Sequence, residues 1–190
     1  MDLLHYSVTQ ALQTLREGGL ILYPTDTVWG IGCDATSAKA VDRIYTLKQR
    51  ADTKSLIILL ADERALVDYV AVPPSALPAY LGATDRPTTV IYENARGLPG
   101  NLVAADGTIA IRITKDPFCK MLIERLGSPI VSTSANISGD VTPKKFSEIT
   151  GAVREGVDYV VDYRQDDETP AMPSRIVRVR QDGVITVIRD

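Results

Sequence analysis

Hydrophobic positions along the chain alternate between helical and strand-like spacing. Val8, Ala11, Leu12 and Leu15 share one face of a 3.6-residue period, and Gly18-Gly19 behind them predicts a C-terminal stop. Leu20 to Tyr23 is a wholly apolar run, the signature of a buried strand. Ser37 is placed to cap a helix that buries Ala38, Val41, Ile44 and Tyr45, and Ser55 to Leu60 predicts a second buried strand. A Pro-containing helical stretch from Ala61 to Leu81 follows. Thr88–Glu93 and Gly107–Ile113 are rich in β-branched residues and flank the turn-forming loop Asn-Ala-Arg-Gly-Leu-Pro-Gly-Asn. Asp116-Pro117 opens a helix through Met121, Leu122 and Leu126 that Gly127 closes, and Pro129–Asn136 reads as a strand emptying into a hydroxyl-rich loop. Thr142 with Pro143 predicts a helix start running toward Arg154. Val157–Asp162 is one more strand, and the C-terminal segment predicts a hairpin turning at Asp182-Gly183. The alternation of helices and strands over 190 residues predicts one α/β domain, spanning 1–190, around a mixed sheet.

Composition narrows the chemistry more than the fold. A hydrophobic content of 45% and a net charge of −3 describe a soluble chain and argue against a wholesale nucleic-acid coat, leaving room for a local basic groove. No apolar run reaches the roughly 18 residues that a membrane span requires. The start, Met1-Asp2-Leu3-Leu4-His5, lacks the basic region and small-residue cleavage site of a secretion signal. Cys33 and Cys119 are isolated and read as free, buried thiols, which places the protein in the reducing cytoplasm. With one histidine, at position 5, neither a histidine-based catalytic pair nor a protein-ligated metal has its parts.

Two nucleotide motifs can be set aside. Gly30-Ile31-Gly32-Cys33-Asp34-Ala35 fits G-x-G-x-x-A, yet six residues separate it from its strand and the helical pattern begins only near Ser37. No G-x-x-x-x-G-K-[ST] is present. What remains is a set of hydroxyls and cations at strand ends. Lys48, Arg50 and Lys54 lie within seven positions between a helix and a strand, forming either an anion cradle or a solvated basic loop. Ser132, Thr133, Ser134 and Asn136 offer hydroxyls and backbone N–H groups suited to phosphate oxygens, or simply a polar loop. Arg112 alternates with Ile111 and Ile113, so its fork points away from the more apolar face, toward an anion or toward solvent. Arg164 to Pro173 is a polar loop, open to reading as a lid or as a connector.

Together, Pro24–Ala35 ("PTDTVWGIGCDA"), Leu47–Arg50 ("LKQR"), Asp106–Ile113 ("DGTIAIRI"), Ser132–Pro143 ("STSANISGDVTP") and Ser174–Val177 ("SRIV") resemble, in order and separation, the YrdC-like threonylcarbamoyl-AMP synthases, over roughly Ala11 to Arg189. The resemblance implies an open, twisted, mixed α/β fold around a large, concave, basic pocket, in the short single-domain form. It implies an L-threonylcarbamoyladenylate synthase, a nucleotidyltransferase that joins L-threonine, bicarbonate and ATP and releases pyrophosphate. A partner protein complex then carries the threonylcarbamoyl group to adenosine 37 of tRNA. Mg²⁺ is expected with the ATP. By the same resemblance Lys48 and Arg50 serve catalysis, and Arg50, Lys54, Thr108, Ser134, Asn136, Thr142 and Arg189 hold ATP. Thr27, Arg112, Ser132 and Ser174 hold threonine, with Arg112 on its carboxylate. Departures from the family pattern include Trp29 in place of a tyrosine and Leu59 in place of a histidine, while Arg175 falls beside the expected substrate. Two other readings of the same features are a module binding tRNA or double-stranded RNA and a diverged nucleotide binder. Threonine-dependent pyrophosphate release, which RNA binding does not produce, separates them from the enzyme.

Overall fold

The protein is described as a computed structural model covering residues 2–49, 56–71, 75, 77–180 and 182–190. Helix α1 (Leu3–Arg16) opens on Asp2, whose carboxylate accepts the His5 N–H, and buries Val8, Ala11 and Leu15. β1 (Ile21–Tyr23) is buried throughout. Pro24 ends it, and a polar loop leads to β2 (Gly30–Gly32), which pairs antiparallel with β1. Ser37 caps α2 (Ala38–Leu47), whose buried stripe is Ala40, Val41, Ile44 and Tyr45. β3 (Ile57–Leu60) is followed by two short helices, α3 (Leu66–Tyr69) and α4 (Leu77–Gly82). β4 (Thr88–Tyr92) and β5 (Ile109–Ile113) precede α5 (Pro117–Leu126), which Asp116 caps and which ends on the left-handed Gly127. β6 (Ile130–Ser134), α6 (Gly151–Gly156), β7 (Tyr159–Val160), β8 (Arg175–Val179) and β9 (Ile185–Arg189) complete the chain.

The strands of the described residues form one mixed sheet in the order β7-β1-β2-β6-β3-β5-β4-β8-β9. β1/β7, β3/β5 and β4/β8 run parallel, and the other neighbours are antiparallel. The register assigns the two faces. Gly30 stands beside Ser134, Ile57 beside both Ser132 and Ala110, and Leu59 beside Arg112, so these residues share the front face. Thr89 pairs with Ile176, and Ile176 with Arg189, which carries that face to the C-terminal edge. Ile58, Ile111, Val90 and Val177 form the reverse face, where the core lies.

Two expectations change. The helix expected from Thr142 to Arg154 is a loop, a short 3-10 turn (Phe146–Glu148) and then α6. Glu148, in that 3-10 turn, reaches back to accept the Lys144 N–H at 2.8 Å, satisfying a donor near the expected start with a side chain rather than a helical carbonyl. The helical stretch expected over Ala61–Leu81 is broken into a 3-10 turn (Glu63–Ala65) and the separate helices α3 and α4. Cys33 and Cys119 are free and fully buried, as expected, and burial pushes both thiols well above their ordinary pKa.

Candidate functional site

The front face carries a hollow of about 210 Å³ where β2, β6, β3 and β5 meet the segment entering β8. Its wall includes Thr27, Trp29, Gly30, Arg112, Ser132, Ser134, Thr142, Ser174 and Arg189. All four residues expected to hold threonine are therefore together, with three of those expected on ATP. Each arrives for a local reason. Thr27 sits in a loop that Thr25 organises by accepting the Thr27 N–H at 2.9 Å and donating to the Val28 carbonyl. Ser132 and Ser134 are two apart on β6 and point the same way. Gly30 keeps the floor open, since a Cβ there would lie 3.1 Å from Ser132 Oγ. Ser174 is locked by a 2.8 Å hydroxyl contact with Thr89, and its carbonyl accepts from Arg189 Nη2 at 2.8 Å.

The charged lining of the hollow is Arg112 and Arg189, with no carboxylate among the described residues that line it. Arg112 is 2% exposed, and its Nη2 lies 3.2 Å from Asp26 Oδ1. That pair is close enough to attract yet not aligned as a hydrogen bond, for Asp26 Oδ1, Arg112 Nη2 and Arg112 Nε are all buried without a hydrogen-bond partner. Nε and Nη2 form one edge of the guanidinium, the edge that receives a carboxylate through two parallel N–H bonds. Burial and the neighbouring Arg112 charge draw the pKa of Arg189 down, which reports the positive field there.

Other expected site residues lie elsewhere. Lys48 is 2% exposed, and its ammonium donates to the carbonyls of Ser134 and Asn136 at 2.6 Å each, holding the loop after β6 from behind. Asn136 turns its amide back onto the carbonyls of Ile137 and Asp140. Thr108 donates to Asp106 at 2.6 Å at the entry of β5. None of these three lines the hollow, because each side chain is spent on a loop of its own. Arg50 and Lys54 fall outside the described residues, although Leu56, next in the described chain, lines the hollow. Arg175 is not beside the site. It pairs with Thr88 on the reverse face and binds Asp190 at 2.8 Å, so alternation along β8 carries it away from its neighbour Ser174. Leu59 does face forward, beside Arg112, but is fully buried. Trp29 packs on Phe146 with ring centroids 4.8 Å apart.

At about 210 Å³ the front hollow is smaller than the roughly 300–1,000 Å³ of drug-sized sites. A larger hollow of about 760 Å³ lies behind the sheet, floored by Val90, Tyr92, Ile111 and Ile113. Size favours it, but none of the expected site residues line it, and its charges are of both signs. Asp26, which sequence reasoning left without a role, lines this reverse hollow while touching Arg112. Among the described residues no group of three or more His, Cys, Asp or Glu could hold a metal.

A family model described as "Telomere recombination", covering Sua5, YciO and YrdC, matches residues 13–190. The chain belongs to the Sua5/YciO/YrdC family. A threonylcarbamoyl-AMP synthase of Pseudoalteromonas translucida is 34% identical over 159 residues, covering 82% of this chain and 85% of that one. The structure of E. coli YciO superposes with a TM-score of 0.82 at 26% identity, covering 96% of this chain and 88% of YciO. P. abyssi Sua5 complexed with L-threonine gives 0.83 at 24% identity, a likeness of fold alone. This chain covers 96% of itself but only 53% of that Sua5 chain, about half its length. The α/β fold with its open mixed sheet is thus that of the Sua5/YciO/YrdC family.

Proposed function

We propose that the chain is a threonylcarbamoyl-AMP synthase acting in tRNA threonylcarbamoylation, with the front hollow as its amino-acid site. The observation that carries the assignment is the buried Arg112, whose Nε and Nη2 have no hydrogen-bond partner within a wall of hydroxyls. A buried cation whose charge is met only by a misaligned carboxylate is costly, and the carboxylate of a substrate in the hollow would offset that cost. Named relatives that this chain matches over most of their length carry the same activity.

In the proposed reaction, the amine of L-threonine and bicarbonate give a carbamate with loss of water. A carbamate oxygen attacks the α-phosphorus of ATP, the bond to the β-phosphate oxygen breaks, and pyrophosphate leaves. Two anions must be brought together, so positioning and charge neutralisation supply most of the catalysis. Arg112 takes the threonine carboxylate, while Thr27, Ser132 and the Ser174 region fix the rest of the amino acid. Ser134, Thr142 and Arg189 face the nucleotide, with Arg50 and Lys54 on its phosphates. Lys48 acts by holding the Ser134–Asn136 loop in place. Mg²⁺ carried on the phosphates of ATP would add to the charge neutralisation there. The product passes to a partner complex that modifies tRNA.

The test is pyrophosphate release by the purified protein, with L-threonine, bicarbonate and ATP omitted in turn. Release that needs all three and proceeds without RNA is expected; release indifferent to threonine would sink the assignment.

A further inference from the structure

Asp26 stands between the two hollows. Its side chain is 13% exposed, it lines the reverse cavity, and its Oδ1 sits 3.2 Å from the Arg112 guanidinium that lines the front one. Its other oxygen accepts the Lys115 N–H at 3.4 Å, just beyond the end of β5. The loop that presents it is tied down on both sides. Cys119 donates its thiol to the Pro24 carbonyl, Arg164 donates to the Thr25 carbonyl, and Thr25 closes the local turn. A carboxylate held this way is not a surface ion pair. It is the counter-charge of an arginine that also faces the like charge of Arg189.

We propose that Asp26 is a positioning residue for the amino-acid site, an inference that rests on the function proposed above. It stands 3.2 Å from Arg112 Nη2, holding the guanidinium by charge rather than by an aligned hydrogen bond. The guanidinium is thereby fixed in the wall of the front hollow, where its charge serves the carboxylate of the substrate. Without that counter-charge the buried cation would swing toward other acceptors.

The test compares wild type, D26N and D26E by calorimetric titration with L-threonine and, separately, with ATP. D26N keeps the shape and an acceptor for Lys115 N–H but loses the charge. Threonine affinity is expected to fall about tenfold or more with ATP affinity retained, since small misplacements of a substrate-binding group cost up to about a hundredfold. D26E keeps the charge, its extra methylene finding room in the reverse hollow, and is expected to bind threonine nearly as wild type does. A merely structural role would weaken both ligands together. D26N binding threonine like wild type, or D26E losing as much as D26N, overturns the inference. Should D26N not fold, D26E decides alone: threonine affinity kept upholds the inference, and threonine affinity lost overturns it. Absence of threonine binding by the wild type overturns the proposed function and this inference with it, whereas normal wild-type binding with an indifferent D26N overturns this inference alone.

Discussion

A guanidinium withdrawn from water needs replacement partners, and Arg112 has one misaligned carboxylate, at Nη2, and no hydrogen-bond partner on Nε. Charge-assisted hydrogen bonds contribute about 1.5–3 kcal/mol, and 1.4 kcal/mol is tenfold in affinity. Arg112→Ala should therefore weaken threonine binding by about 10–100-fold while leaving ATP binding largely intact, a split that calorimetry reads directly. Lys48 is the opposite kind of residue, a buried cation whose partners are already in place. Lys48→Met would orphan the carbonyls of Ser134 and Asn136, at about 1–3 kcal/mol each. For a chain of this size each kcal/mol shifts Tm by about 2–4 °C, so a drop of several degrees by calorimetry is expected. Arg112 could be picked out in the sequence because it interrupts a β-branched run. Lys48 was picked out as part of an anion cradle, but its hold on the Ser134–Asn136 loop was not legible, since its partners lie 86 and 88 positions away.

At the scale of elements, the least legible strand is the one that makes the site. Gly-Ile-Gly has little strand propensity, and glycines inside strands usually mark a close approach of other groups. Here that approach is measurable. A Cβ on Gly32 would lie 2.4 Å from the Val131 carbonyl and 2.6 Å from the Tyr23 ring, so β2 can slot between β1 and β6 only without side chains there. Gly30 differs, for its added Cβ would meet the movable Ser132 hydroxyl at 3.1 Å, inside the hollow. The two alanine variants should therefore separate stability from function. Gly32→Ala is expected to cost about 1–3 kcal/mol of overpacking strain and to lower Tm. Gly30→Ala should keep Tm near wild type and lose activity in the pyrophosphate assay. Equal Tm losses in both would mean that the hollow has no special tolerance at its floor. The long apolar or well-capped elements, α1, α2, β3, α5 and β6, were readable because period and cap agree with their tertiary use. The expected helix from Thr142 had a good cap but no continuing apolar stripe, and its Lys144 N–H goes to the Glu148 carboxylate four residues on.

At the scale of the whole molecule, neighbours in the sheet are mostly distant in sequence, so the order β7-β1-β2-β6-β3-β5-β4-β8-β9 was not deducible from local pattern. Nor was the fact that β-strand alternation sends Ser174 forward and Arg175 backward, which removes an apparent obstacle to the amino-acid site. Long-range closure also sets how the fold answers to acid. Asp158, at the entry to β7, accepts the Leu20 N–H at 2.6 Å and pairs with Arg43 of α2 at 2.8 Å, joining segments far apart in the chain. The Arg43 hydrogen bond, against an opposing desolvation cost, and then the Leu20 N–H hold the Asp158 carboxyl below its ordinary range. A group whose folded pKa is depressed stabilises the fold above its unfolded value, about 3.9 for Asp, and that stabilisation is lost as pH falls through the folded value. With side chains 43% and 40% exposed, the pair is screened by solvent, so its contribution also shrinks with salt. Asp158→Asn keeps the shape and removes the charge. Its Tm should lie below wild type near neutral pH, with the gap closing as the pH drops through about 4 and below and narrowing in high salt. A gap constant across pH would show that the packing of the Asp158 side chain, and not its charge, fastens β7 to the rest of the sheet.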